Sequence, residues 1–296
     1  VARSLSRRSA LGLICSLVQA QQATFSTGVN VVNVLVTVRD KQGQLVKGLS
    51  QADFTLEEDG RVQSIRYFSP QAGQPLTIGL LVDVSGSQRT VLAEQRRASA
   101  QFFDQVLRGQ QDKSFVVSFD SKVELLQDLD LDIKPSAQGT ALYDAIVFAS
   151  RRIANQAGRK ALIVLSDGYD TTSSASLAAA VETAQRADAL VYSIRFLDRD
   201  VFKFEIPASQ GGSPVPREGR KALERIARET GGGYFDFTAA EPLGKIYSRI
   251  EDQLRNQYSL GFTPASGRSG YRKLRVFLKR KGLTVQARDG YYPAFP

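Results

Sequence analysis

The sequence predicts an α/β fold: a doubly wound, mainly parallel sheet of six strands with one antiparallel edge strand, joined to a β-sandwich-like unit built from the two ends of the chain. Three observations predict it. From Thr77 to Leu254, apolar runs of strand length alternate with stretches of helical period, the pattern of a parallel sheet covered by helices on both faces. Val123 to Leu126 follows the strand Ser114 to Phe119 after only Asp120-Ser121-Lys122, a link too short for a parallel crossover. Outside Thr77 to Leu254 the chain reads as short strands and turns, and neither flank is large enough to bury a core alone.

Residues 1–20 have the layout of an export signal. Arg3, Arg7 and Arg8 precede an apolar stretch from Ala10 to Val18, and Val18-Gln19-Ala20 offers a small-residue cleavage site. The mature chain is then expected to start near Gln21, in the periplasm or outside the cell. Ser6-Arg7-Arg8-Ser9-Ala10-Leu11 also resembles a twin-arginine signal, with Ala10 where a bulkier apolar residue is usual. No later run is long enough to cross a membrane as a helix.

Residues 21–70 read as the first strands of the flanking sandwich. Between Val29 and Arg39, Val32, Val34, Val36 and Val38 alternate with Asn33, Thr37 and Arg39, the period of a half-buried strand. Asp40 to Gly43 turns the chain. Short strands are expected at Gln44 to Val46, Asp53 to Glu57 and Val62 to Phe68, with Glu58 to Arg61 as a hairpin turn and Pro70 to Pro75 as a linker. Residues 71–255 carry the α/β unit. Its first strand, Ile78 to Val82, leads into a helix opening at Ser87 or Gln88, with Val91, Ala98, Phe102 and Val106 on one face. After the antiparallel pair come a helix at Ala141 to Ile153, a strand at Ala161 to Leu165, a helix at Ser176 to Ala187 and a strand at Leu190 to Phe196. Asp198 to Gly219 reads as a surface insertion. A helix at Lys221 to Glu229 ends at Gly231-Gly232-Gly233, where glycine supplies the left-handed cap. Tyr234 to Phe237 is the last strand of this unit, and Leu243, Ile246, Ile250 and Leu254 mark the apolar face of its last helix. Residues 256–296 return to strands at Tyr258 to Phe262, Lys273 to Lys279 and Leu283 to Arg288, the last two joined as a hairpin at Lys281-Gly282. The two flanks are expected to pair into one sandwich, because domain termini often lie close together.

Composition narrows the chemistry. With 296 residues, 42% of them hydrophobic, there is enough apolar material for real cores. The chain has no His, which excludes Ser-His-Asp and Cys-His catalysis and every His-ligated metal site. Oxygen-ligand chemistry remains. The single cysteine, Cys15, can form no internal disulfide. Formal charge is +9, and the three signal arginines account for enough of it to leave +6 on the mature chain, a weak bias toward anionic partners.

An open parallel sheet presents its working surface at the carboxyl ends of its strands, and three loops place oxygen ligands there. Asp83, Ser85 and Ser87 follow the strand Ile78 to Val82; Thr140 sits just before a helix; Asp167 follows the strand ending at Leu165. Carboxylates and hydroxyls together suit Mg²⁺ or Mn²⁺. Each also has a plain structural explanation: Ser87 and Thr140 as helix N-caps, Asp167 as an Asx turn.

The set Asp83-x-Ser85-x-Ser87, then Thr140, then Asp167 resembles a von Willebrand factor type A (vWA) domain with a complete metal-ion-dependent adhesion site, over roughly Leu76 to Leu254. The whole layout is similar to exported bacterial proteins related to that family. The resemblance implies a Rossmann-like fold in which Ser85 and Ser87 bind Mg²⁺ directly, with Mn²⁺ or Ca²⁺ as substitutes. Asp83, Asp167 and Thr140 would bind it directly or through water. It implies an adhesion or scaffold module rather than an enzyme, whose protein partner lends an Asp or Glu carboxylate to the ion. Nucleic acid is not an expected partner. Two alternatives stand beside this. One is a metal-assisted hydrolase, for which no base or second carboxylate cluster is evident, Asp120 and Asp170 reading as solvated loop residues. The other is polyanion binding by the basic C-terminal hairpin, which carries Arg268, Arg272, Lys273, Arg275, Lys279, Arg280, Lys281 and Arg288.

Overall fold

The computed structural model describes residues 31–70, 74–88, 92–107, 111–126, 139–196, 215–264 and 269–293, without the side chains of residues 87 and 215–217. The export signal, the middle of the Pro70 to Pro75 linker, Val91, Arg268 and most of the expected insertion lie outside the described residues.

The central six-stranded sheet comprises β5 (Leu76–Asp83), β6 (Lys113–Phe119), β7 (Val123–Leu126), β8 (Arg159–Ser166), β9 (Ala189–Arg195) and β10 (Tyr234–Asp236), in the order β10-β9-β8-β5-β6-β7. All its pairings are parallel except β6 with β7, where Phe119 faces Val123 across the short turn. Strand order reverses beside β5, whose eight residues are all buried, as a central strand covered on both faces must be. The helices are α1 (Leu92–Val106), α2 (Leu142–Ile153), α3 (Leu177–Arg186), α4 (Val215–Thr230) and α5 (Leu243–Arg255). Alternation along the strands sorts them into two layers. Ile78, Leu80, Ile163 and Tyr192 meet Phe102 of α1 and Ile246, Tyr247 and Ile250 of α5. Leu81, Leu162, Val164 and Val191 meet Leu142 and Ile146 of α2, Val181 of α3 and Leu223 of α4. Each of these large side chains contributes about 1.5–3 kcal/mol by leaving water.

The flanks form two four-stranded sheets. One runs β13 (Thr284–Gln286), β1 (Val32–Arg39), β11 (Tyr258–Phe262), β4 (Tyr67–Pro70); the other runs β14 (Gly290–Tyr291), β12 (Arg272–Leu278), β2 (Phe54–Glu58), β3 (Arg61–Gln63). Each sheet joins strands from both ends of the chain, through β1 with β11 and β13 in one and β2 with β12 in the other, and Val34, Val36, Leu56, Leu260 and Leu274 share one core. The buried Arg272–Glu58 pair, 3.2 Å apart, ties C-terminal to N-terminal strands, with the Tyr291 hydroxyl donating to Glu58 at 2.6 Å. Polar contacts join the sandwich to the α/β unit: the Gln286 amide donates to the Gly232 carbonyl at 2.7 Å, and Arg288 pairs with Asp188 at 2.9 Å.

Four expectations need correction. Gln44 to Val46 forms no strand, only the isolated bridge Arg39–Leu45. Val62 to Phe68 is two strands, β3 and β4, which enter different sheets. The C-terminal basic hairpin does not exist: Gly282, at φ +80°, does turn the chain, but β12 pairs with β2 and β14 while β13 pairs with β1. The expected insertion ends sooner than Gly219, because Val215 to Gly219 already belong to α4. Pro216 is tolerated there, in a first helical turn whose N–H groups have no intrahelical partners.

Candidate metal centre

Register along β5 and β8 brings the acidic residues together. Val82 pairs with Leu165, so Asp83 stands beside Ser166 and Asp167 lies one residue beyond. Asp83 is fully buried. Its Oδ1 accepts from the Ser85 N–H at 3.0 Å and its Oδ2 from the Ser166 hydroxyl at 2.6 Å. The Ser166 oxygen in turn accepts from the Gly168 N–H at 3.0 Å, so one serine braces the loops after β5 and β8. Burial, and then the neighbouring Asp167 carboxylate, push the Asp83 carboxyl up to about 7; its bonds from Ser166 and Ser85 pull the other way without cancelling the effect. Asp167 is buried too, and its Oδ1 accepts from the Tyr169 N–H at 3.0 Å, an Asx turn.

The loop before α2 closes the third side. Ala141 donates its N–H to the Asp120 carbonyl at the end of β6, and the Thr140 N–H donates to the Thr171 hydroxyl at 2.9 Å. Thr171 and Thr172 return their N–H groups to the Thr140 carbonyl, at 2.9 and 3.1 Å. Gly139, at φ +116°, lets this pairing come close, since a Cβ there would lie 2.5 Å from Thr172. Asp83, Ser85, Thr140 and Asp167 thus lie at the carboxyl ends of adjacent strands, all buried. The Ser87 backbone forms part of a 3-10 turn, Gly86–Gln88; its side chain lies outside the described residues.

Thr140 is not the cap of α2. The cap position is Ala141, which makes no side-chain cap bond. The free N–H groups of α2 go instead to the loop after β8: Tyr143 donates to Asp170 at 3.1 Å and Asp144 to the Ser173 hydroxyl at 3.0 Å. Asp144 reciprocates by accepting from Ser174 and Ala175 at 2.8 and 2.9 Å. Asp170, expected as a solvated residue, is therefore a cap supplied from another loop. Asp120 keeps its expected local role, accepting from the Lys122 N–H at 2.7 Å. Asp170→Ala is expected to lower stability by about 1–2 kcal/mol, the usual worth of a cap; urea unfolding would measure it, and an unchanged midpoint would contradict the capping role.

Two buried carboxylates beside each other, with hydroxyls around them, fit a hard divalent cation: the cation would offset the like-charge repulsion, and carboxylates and hydroxyls are its preferred donors. Among the described residues no cluster of three His, Cys, Asp or Glu side chains could hold a metal.

No family model matches the chain, and no curated protein matches it. Among solved structures, it is similar to BatB from Bacteroides thetaiotaomicron, with 19% identity, 60% of this chain and 97% of that chain covered, and a TM-score of 0.45. Proximal thread matrix protein 1 from the mussel byssus, solved with zinc in its MIDAS motif, gives 15% identity, 68% of this chain and 50% of that one, and a TM-score of 0.47. At these identities the likeness concerns the course of the chain alone. The solved structures it resembles also include a von Willebrand factor type A protein from Catenulispora acidiphila, at 13% identity over 88% of this chain and 73% of that one, with a TM-score of 0.48.

Proposed function

We propose that the chain is a divalent-metal-dependent protein-binding module of the vWA type, working as an adhesion or scaffold protein outside the bacterial cytoplasm after removal of residues 1–20. Residues 71–255 would carry the site, and residues 21–70 with 256–296 the sandwich. Asp83, Ser85, Ser87, Thr140 and Asp167 would hold the ion, Mg²⁺ first and Mn²⁺ or Ca²⁺ as substitutes. The observation that carries this is the pair Asp83 and Asp167, two buried carboxylates set side by side at the point where strand order reverses.

The bound ion would supply an electrophilic centre for a partner's Asp or Glu carboxylate. The chain's own residues do the rest. Ser166 and the Ser85 N–H fix the Asp83 oxygens, the Asx turn fixes Asp167, and the Thr171 and Thr172 bonds tie the Thr140 loop to the segment that follows Asp167. Without His, a hydrolytic reading lacks the side chain that most often serves as its base.

Asp167→Ala or chelation with EDTA is expected to abolish capture of a partner from exported proteins in the presence of Mg²⁺, with the far-ultraviolet circular dichroism unchanged. Thr140→Ala should weaken capture roughly tenfold, as loss of one ligand or of its bridging water does. Equal capture in Mg²⁺ and EDTA would remove the metal from the function. Turnover of a phosphoester in Mg²⁺ or Mn²⁺, lost in Asp83→Ala, would replace adhesion by hydrolysis.

A further inference from the structure

Seven of the eight basic residues near the C-terminus lie among the described residues, and they divide into two groups. Arg272 is buried against Glu58, Arg288 pairs with Asp188, and Arg280 pairs with Asp53 at 3.0 Å. Lys273, Arg275, Lys279 and Lys281 are exposed and make no ion pair among the described residues. The first three belong to one alternation. On β12 and its ends, Tyr271, Lys273, Arg275, Phe277 and Lys279 are exposed while Arg272 and Leu274 are buried, so an aromatic–cation–cation–aromatic–cation row faces outward at intervals of ~6.6 Å. Register adds Val62: it stands opposite Glu57, which stands opposite Arg275. Val62, Tyr271 and Phe277, exposed by 68%, 46% and 44%, are three of the six large apolar side chains exposed among the described residues, and all lie on this one sheet.

The row begins in a recess. Tyr271 and Lys273 line a groove of about 460 Å³ between the sandwich and helices α3 and α4, a size suited to a small ligand or a few units of a chain. Tyr292 stands beside Tyr271, ring centroids 5.3 Å apart at 58°, and the Arg186 guanidinium lies over its ring at 4.7 Å. The groove also presents acceptors: Glu229, held by Arg225 at 2.7 Å, and Asp289, held by Arg228 at 3.3 Å. A recess with aromatic rings and carboxylates that leads onto a row of unpaired cations suits a polymer carrying both hydroxyl donors and fixed negative charge. A bilayer is flat and would not reach into the recess. A nucleic acid brings a phosphate at every residue and few backbone donors for the Glu229 and Asp289 carboxylates.

We propose that the outward face of β12, together with the groove it leaves, is a binding track for an acidic polysaccharide. Sugar rings would lie on Tyr271 and Phe277, hydroxyls would donate to Glu229 and Asp289, and carboxylate or sulfate groups would pair with Lys273, Arg275 and Lys279. This track is separate from the carboxyl ends of the central strands and needs no metal.

Binding of the full chain, measured in EDTA at 50 and 200 mM salt, tests it with polygalacturonate as the carboxylated probe, dextran sulfate as the sulfated probe and neutral dextran as the control. Saturable binding to one or both acidic polymers is expected, with none to dextran; which of the two binds names the charged group. Lys273→Gln with Arg275→Gln should weaken it about tenfold at the lower salt and make the salt dependence shallower, since fewer counterions are released. Tyr271→Ala should weaken it about fivefold at either salt, a loss that charge attraction alone would not produce. Unchanged thermal midpoints show that the variants fold, and Lys245→Gln, which removes an exposed cation of α5 on the opposite layer of the central sheet, should bind within about twofold of wild type. Absence of binding to both acidic polymers, equal binding by the variants, or tighter binding to single-stranded DNA or to phosphatidylglycerol vesicles would overturn the proposal.

Discussion

Asp83→Asn is expected to leave the metal-free protein at least as stable as wild type, by about 1–2 kcal/mol in its favour, while erasing its response to Mg²⁺. The gain comes from removing a charge that burial and the Asp167 carboxylate both disfavour. Geometry is retained. The amide oxygen can still accept from the Ser85 N–H, and the amide nitrogen can donate to the Ser166 oxygen where the carboxylate had accepted from it. Wild type should behave oppositely on addition of metal: at a hundredfold excess over the dissociation constant, binding to the folded state alone adds about 2.7 kcal/mol. Thermal midpoints in EDTA and in Mg²⁺, for both proteins, check the two halves separately. A large drop for the variant in EDTA would make Asp83 a structural anchor, and a shared Mg²⁺ response would place the ion elsewhere.

The sequence made the positions at strand ends legible because two regularities coincide there. An apolar run such as Ile78 to Val82 reads as a buried strand, and the first carboxylate after such a run sits at the rim of the sheet, so Asp83 and Asp167 announce themselves. What surrounds them is less legible. Ser166 looks like one more buried strand position; its hydroxyl matters because β8 lies beside β5, and that adjacency is a property of the sheet. Asp170 caps a helix that begins 28 residues earlier in the chain, and no local spacing rule reaches that far. The start of α4 was hidden by Pro216 and Gly219, residues that punctuate loops in general but here occupy a first helical turn and a close backbone approach. Lys281-Gly282 correctly predicts a reversal of the chain. A turn signal does not say which strand will be the partner, and the five pairs that β12 makes with β2 commit it to the other sheet.

Gly168→Ala is expected to cost about 3–5 kcal/mol and to loosen the proposed metal site, whereas Gly43→Ala costs about 1 kcal/mol. Both glycines have positive φ, +91° and +78°, so the backbone strain is similar. They differ in what a methyl group would meet. Around Gly43 nothing lies within 4 Å; at Gly168 a Cβ would lie 2.3 Å from the Gly219 carbonyl oxygen, and a Cβ on Gly219 would lie 2.5 Å from the Asp167 carbonyl oxygen. Two backbones press together here, and neither can yield by a rotamer change. The strand-end loop or the first turn of α4 must move, and the loop carries Asp167 while its Gly168 N–H holds the Ser166 oxygen that braces Asp83. Urea unfolding of the two variants separates strain from collision, and the Mg²⁺ shift of the thermal midpoint reports on the site. Equal losses for Gly168→Ala and Gly43→Ala would show that α4 gives way freely. A full Mg²⁺ response in Gly168→Ala would show that the ion does not depend on where this loop holds Asp167.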